Sequence, residues 1–148
     1  MQKLETFSKT YEIGWNHLDA NAHVKNSAYA EFGDDVRIAF WQMCGASPLL
    51  MHELGVGPIL FDSYIQFYKE LHLGEIIVVD LVLENISEDF RKWKIIQHIY
   101  KQEGLILAAK ITLNGSFMDL KTRKVCPAIG AMKDSFSLMP SKSIKDVS

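Results

Sequence analysis

The stretch Trp15-Asn16-His17-Leu18-Asp19-Ala20-Asn21-Ala22-His23-Val24-Lys25-Asn26-Ser27 concentrates side chains that can do chemistry. It brings a carboxylate, two imidazoles and several carboxamides into one short polar segment. Such residues close turns and cap helices, and that is one use for them. A second use is metal binding, since His17, Asp19 and His23 are ligand types for zinc or iron. Their spacing matches no metal signature, and no other Cys or His cluster supplies a fourth ligand. No metal or other cofactor is therefore expected. The third use is hydrolysis. A carboxylate beside a helix start faces N–H groups that carry partial positive charge. Those groups can polarise a carbonyl and stabilise the oxyanion formed from it. The carboxylate can attack that carbon or activate water to do so.

The elements around the segment follow from hydrophobic period. Residues 6–15 alternate, with Phe7, Tyr11, Ile13 and Trp15 on one face, which predicts a half-buried strand. Residues 27–43 then repeat at three- and four-residue steps through Ala28, Tyr29, Phe32, Val36, Ala39, Phe40 and Met43, one face of a helix. At 1.5 Å per residue that helix is about 25 Å long. Asn26 or Ser27 can cap it, and Gly45 and Pro48 can stop it. Gly33, inside it, points to close approach of another backbone. Glu31, Asp34, Asp35 and Arg37 fall on the opposite face, and most of them read as solvated. Residues 58–70, 76–86, 90–101 and 105–118 read as strands, separated by turns at 72–75, 87–89 and 102–104. Residues 119–124 form a polar turn, and the tail from 134 is expected to fray. The result is an α+β domain spanning 1–148, with its core about 5–130. One helix cannot cover both faces of five strands, so a curved antiparallel sheet of five or six strands wrapped around it is the economical solution. Its free edges favour at least a homodimer.

Composition narrows the class. A chain of 148 residues, 48% apolar and 23% charged, is an ordinary globular domain. Its net charge of −2 argues against nucleic acid as a partner. Met1 to Glu5 lacks the apolar segment of a secretory signal, and no apolar run approaches the ~20 residues of a membrane span. Cys44 and Cys126 have neither metal nor redox spacing and read as reduced thiols. A cytoplasmic protein without membrane contact is expected.

The segment from Trp15 to Tyr29 resembles the signature of hotdog-fold acyl thioesterases, the 4-hydroxybenzoyl-CoA thioesterase-like group and the related acyl-carrier-protein thioesterases. Their usual pattern is W-x-D-x-D-x-N-G-H-V-N-N-x-x-Y. The resemblance covers roughly residues 5 to 130. It implies a sheet wrapped around a long helix, dimers or tetramers, and active sites at the protomer interface. It implies Asp19 as the catalytic carboxylate, with Asn21 and His23 completing the trio of the carrier-protein enzymes. It puts the oxyanion-binding N–H at or near Asn26 and makes Tyr29 a pocket residue. Three positions depart from the pattern: His17 for the first Asp, Ala22 for Gly, and Lys25 for the first Asn. His17 and Lys25 thereby become substrate-side candidates: His17 through loop geometry or pH dependence, Lys25 as a cation for a phosphate, with solvent competing as its partner. Arg91, Lys92 and Lys94, with Lys121, Arg123 and Lys124, are cations for a CoA nucleotide or an acidic carrier protein; a solvated strand edge and turn compete as their explanation. The implied activity is hydrolysis of an acyl-CoA. An acyl-carrier-protein substrate and a non-catalytic acyl-CoA-binding domain are the alternatives.

Overall fold

The period change near residue 26 marks the passage from strand to helix. The computed structural model describes residues 2–147. In chain order the elements are β1 (Ser8–Glu12), a 3-10 turn (Trp15–His17), α1 (Asn26–Met43), α2 (Pro48–Leu54), β2 (Val56–Phe67), β3 (Ile76–Asp80), β4 (Val82–Ile86), β5 (Lys92–Lys101), β6 (Ile106–Asp119), β7 (Val125–Cys126) and α3 (Gly130–Leu138). The strands form one antiparallel sheet in the order β1-β3-β5-β6-β2, with β4 also on β5 and β7 on β6. Among the described residues there are seven strands rather than five or six, because the expected strand 76–86 breaks at Leu81 and the two-residue β7 joins β6. The break has a cause: Leu81 N donates to Phe7 O, and Leu83 N donates to Pro140 O.

α1 lies across one face of this sheet. Ala28, Phe32, Val36 and Phe40 are buried against a layer that includes Ile77, Val79, Ile95, Ile99, Ile111 and Leu113. Gly33 is where the two layers come closest. A Cβ there would lie 2.9 Å from Gln97 Oε1 and 3.2 Å from Ile111 Cδ1, so only glycine fits without a shift. Gln97 then ties helix to sheet. Its Nε2 donates to Gly33 O at 3.1 Å and Asp80 O at 3.3 Å, while its Oε1 accepts from Arg37 Nη1 at 2.8 Å.

Several expectations are corrected. Arg37 is buried rather than solvated, because Asp34 and Gln97 supply its hydrogen bonds. Trp41 takes the buried place expected of Met43, which is exposed; its ring meets Trp93 and Phe117. Trp15 is 80% exposed because β1 ends at Glu12 and the chain turns away after buried Ile13. The helix stop at 45–48 opens a second helix: Ser47 Oγ caps α2 by accepting from Leu50 N, Pro48 begins it, and Gly55 at φ +72° ends it. The tail expected to fray from 134 is packed against the rest of the fold as far as it is described, residues 134–147; Ser148 lies outside the described residues. Met132, Phe136 and Met139 recur on one side and are buried. Trp41 Nε1 donates to Ser135 Oγ at 3.2 Å, Leu4 N donates to Leu138 O, and Ile144 N donates to Asp80 Oδ2 at 3.3 Å. Cys44 and Cys126 are both free and half-buried, and burial raises both thiols above their ordinary pKa. Among the described residues no helix is long and apolar enough to cross a membrane.

Candidate functional site

The polar loop is built by its own short-range hydrogen bonds. Leu18 and Val24 form an isolated antiparallel bridge. Between them Asp19 N donates to His23 O at 2.8 Å, and Ala22 N donates to Asp19 O at 3.1 Å. The Asp19 carboxylate completes the turn: its Oδ1 accepts from Asn21 N at 2.8 Å and His23 N at 3.2 Å. This is the turn-closing use of aspartate, and it fixes the carboxylate without consuming it. Among the described residues, no hydrogen bond engages Oδ2.

The loop hands the chain directly to α1. Lys25, not Asn26 or Ser27, is the N-cap, and no side chain caps the helix. The N–H groups of its opening turn therefore keep their partial positive charge for something outside the helix. Asp19, His23, Asn26 and Tyr29 line one depression of about 320 Å³, closed on the other side by Phe67, Tyr68, Lys69, Glu70 and Leu71. The carboxylate and the uncapped helix start thus open onto the same space. A wider hollow of about 800 Å³ between Leu73–Ile76 and Lys101–Ile106 contains neither.

Tyr29 is buried, with its ring edge-on to Phe67 at 5.0 Å. Burial, and then the charges of Glu70 and Glu75, hold its hydroxyl above the ordinary tyrosine range, so it stays a neutral donor. Asn21 is exposed and meets Asp19 through its backbone N–H. His17 turns away from the depression. Its Nδ1 accepts from Gly14 N at 2.9 Å, and its ring packs 4.8 Å from that of Phe32. Lys25 is half-buried at the helix start. Lys94 does not line the depression; it pairs with Glu84 at 3.0 Å. Arg91 pairs with Asp89 at 3.5 Å and donates to Val125 O. Among the described residues no three His, Cys, Asp or Glu side chains are grouped to hold a metal ion.

Sequence reasoning passed over Glu70. It lies after β2, where Tyr68 N and Lys69 N both donate to Ala108 O and steer the chain toward the loop. Glu70 Oε1 comes 3.4 Å from His23 Nε2. No local pattern announces this contact, because the two residues belong to segments that only the fold brings together.

Comparison with known proteins bears on this arrangement. A Staphylococcus aureus hypothetical protein, solved in complex with CoA, superposes with TM-score 0.83 at 18% identity, covering 93% of this chain and 84% of that one. A Synechocystis 1,4-dihydroxy-2-naphthoyl-CoA thioesterase gives TM-score 0.79 at 17% identity, covering 88% and 94%. A probable thioesterase of Escherichia coli gives 0.73 at 19% identity, covering 90% and 98%. At such identities these likenesses establish the shared hotdog fold. No curated protein matches. The family model of the thioesterase-like superfamily matches residues 13–136, a span that holds the Asp19 loop, the uncapped start of α1 and the strands that close the depression, and the chain belongs to that superfamily.

Proposed function

We propose that this protein hydrolyses an acyl-CoA thioester to a free acid and CoA at the depression between the Asp19 loop and α1. The observation that carries the reading is that a turn-fixed carboxylate and an uncapped helix N-terminus share one cavity. A thioester carbonyl suits that pair. It is electrophilic, its oxygen can lie against the N–H groups near Asn26, and thiolate leaves readily. Asp19 Oδ2 either attacks the acyl carbon or takes a proton from the attacking water. His23 carries the proton, Asn21 holds the turn, and Tyr29 walls the acyl side. His17 supports the loop from behind through Gly14 and Phe32. Lys25, the N-cap residue of α1, does not line the depression but is a cation at the same helix start for a CoA phosphate. Lys94 serves such a phosphate only by exchanging its partner Glu84 for it. The CoA held by the Staphylococcus aureus neighbour and the CoA-thioester substrate of the Synechocystis neighbour support a CoA substrate over a carrier protein.

We further infer a homodimer built on the β2 edge, which can pair again into a tetramer. β2 ends the sheet on one side, and Leu60, Phe61, Tyr64 and Phe67 stand exposed along it. A long apolar free edge favours a second strand, and a second copy of β2 supplies one. Phe67 belongs both to this edge and to the depression, so a partner there would wall the site. Two free thiols agree with a reducing, cytoplasmic setting.

The test is Asp19→Asn, which keeps an acceptor oxygen for Asn21 N and His23 N, with free thiol read on a panel of acyl-CoA and matched acyl-carrier-protein thioesters. Turnover should fall by roughly 10³-fold or more with an unchanged melting temperature. Full activity in the variant would exclude Asp19. Faster turnover on carrier-bound acyl groups would move the substrate to the alternative class.

A further inference from the structure

His23 is one end of a chain of side chains that continues past the depression. Glu70 Oε1 lies 3.4 Å from His23 Nε2, and Glu70 Oε2 lies 3.6 Å from His72 Nε2. His72 Nδ1 is 3.0 Å from Glu75 Oε1, and Glu75 Oε2 is 3.3 Å from Lys101 Nζ. His72 N also donates to Glu75 Oε1 at 2.9 Å, so the His72–Glu75 end is held by the backbone as well. The chain alternates imidazole and carboxylate and ends on a strand lysine. An isolated surface pair of this length contributes little to stability. The His23–Glu70 contact, both of whose residues line the depression, has a different use.

We propose that Glu70 is the positioning residue of His23: it fixes the ring and its tautomer. His72 gives its Nδ1 proton to Glu75, so its Nε2 faces Glu70 without a proton and does not hold it. The role of Glu70 rests on the hydrolytic reading above. A carboxylate facing Nε2 selects the tautomer with its proton on Nε2, because that N–H is the donor it can accept from. The Nδ1 lone pair is then left free. A base oriented by a third group is the general arrangement for moving protons in hydrolysis. Water adds its oxygen to the acyl carbon and gives a proton to Asp19. That proton passes to His23 Nδ1 and on to sulfur as the C–S bond breaks and sulfur keeps the electron pair. The atoms balance as free acid plus thiol, and Glu70 neither gains nor loses a proton. Without Glu70 the ring rotates freely and either nitrogen carries the hydrogen, so only part of the population is competent.

The experiment uses the full chain with ¹⁵N-labelled histidine, read by NMR above the imidazole titration, beside steady-state kinetics on an acyl-CoA. In the parent protein the His23 ring nitrogens should show the Nε2–H form. Glu70→Ala should mix the two tautomers and lower kcat by about tenfold or more, with KM little changed. Glu70→Gln keeps an acceptor oxygen and should restore most of the tautomer preference and part of kcat. An unshifted His23 tautomer in Glu70→Ala overturns the proposal, whatever the kinetics. A shifted tautomer in a protein that cleaves no thioester keeps the coupling and removes the hydrolytic reading instead.

Discussion

Ala22 stands where the resembling pattern has glycine, and its backbone shows why glycine is usual there. Its φ is +61°, in the left-handed region that a side chain disfavours. The turn needs that conformation so that Ala22 N can reach Asp19 O and Asp19 N can reach His23 O. This chain therefore tolerates local strain beside the Asp19 carboxylate. Ala22→Gly should relieve it, raising stability by about 0.5–1 kcal/mol in a chemical or thermal melt. Loss of stability in that variant would mean that the alanine methyl makes a contact outweighing the strain. The same loop explains why His17 can replace an aspartate. Its Nδ1 satisfies Gly14 N at 2.9 Å, a supporting role that needs an acceptor rather than a charge.

Among the elements, β1 and α1 are joined at the surface by Asp35, which the sequence placed on a solvated face. Lys9 Nζ donates to its Oδ2 at 2.8 Å, and the Tyr11 hydroxyl donates to the same oxygen. The Lys9 hydrogen bond first, and the Tyr11 hydrogen bond second, hold the Asp35 carboxyl below its ordinary pKa. The sign follows from linkage. A carboxylate with a lowered folded pKa stabilises the fold above the ordinary carboxylate range, and that contribution is lost as pH falls through the folded value. Asp35→Asn should therefore lower the melting temperature at neutral pH. It should also flatten the further drop seen below about pH 4, where carboxylates protonate. A variant whose melting temperature falls with acid as steeply as the parent's would show that Asp35 contributes nothing to acid sensitivity. Beneath this surface link, Gln97 and Arg37 join the same helix to β5 inside the core.

For the molecule as a whole, the decisive surface is the β2 edge. Phe61 and Tyr64 are 53% and 62% exposed on a strand that pairs on one side only. Phe61→Glu combined with Tyr64→Glu should convert the proposed dimer to monomers in sedimentation, because like charges would then face each other across its β2 seam. Thioester cleavage should fall with it while Asp19 stays intact. A parent protein that already sediments as a monomer would refute the dimer.

The amino-acid order alone was enough to read the Asp19 loop, the long helix after it and most of the strands, because these rest on short-range periodicity and on turn residues that act within a few positions. Gly33 was legible for the same reason: a glycine inside a helix signals a close neighbour, and Gln97 with Ile111 is that neighbour. Folding had to decide the rest. Whether Arg37 meets water or core depends on Gln97, a residue of a distant strand. Whether the last helix frays depends on Trp41 and Phe117 offering a surface for Ser135 and Phe136. Whether His23 meets a carboxylate depends on the turn after β2 carrying Glu70 to the loop. Each of these is a contact between residues far apart in the chain, and such contacts exist only once the layers have packed.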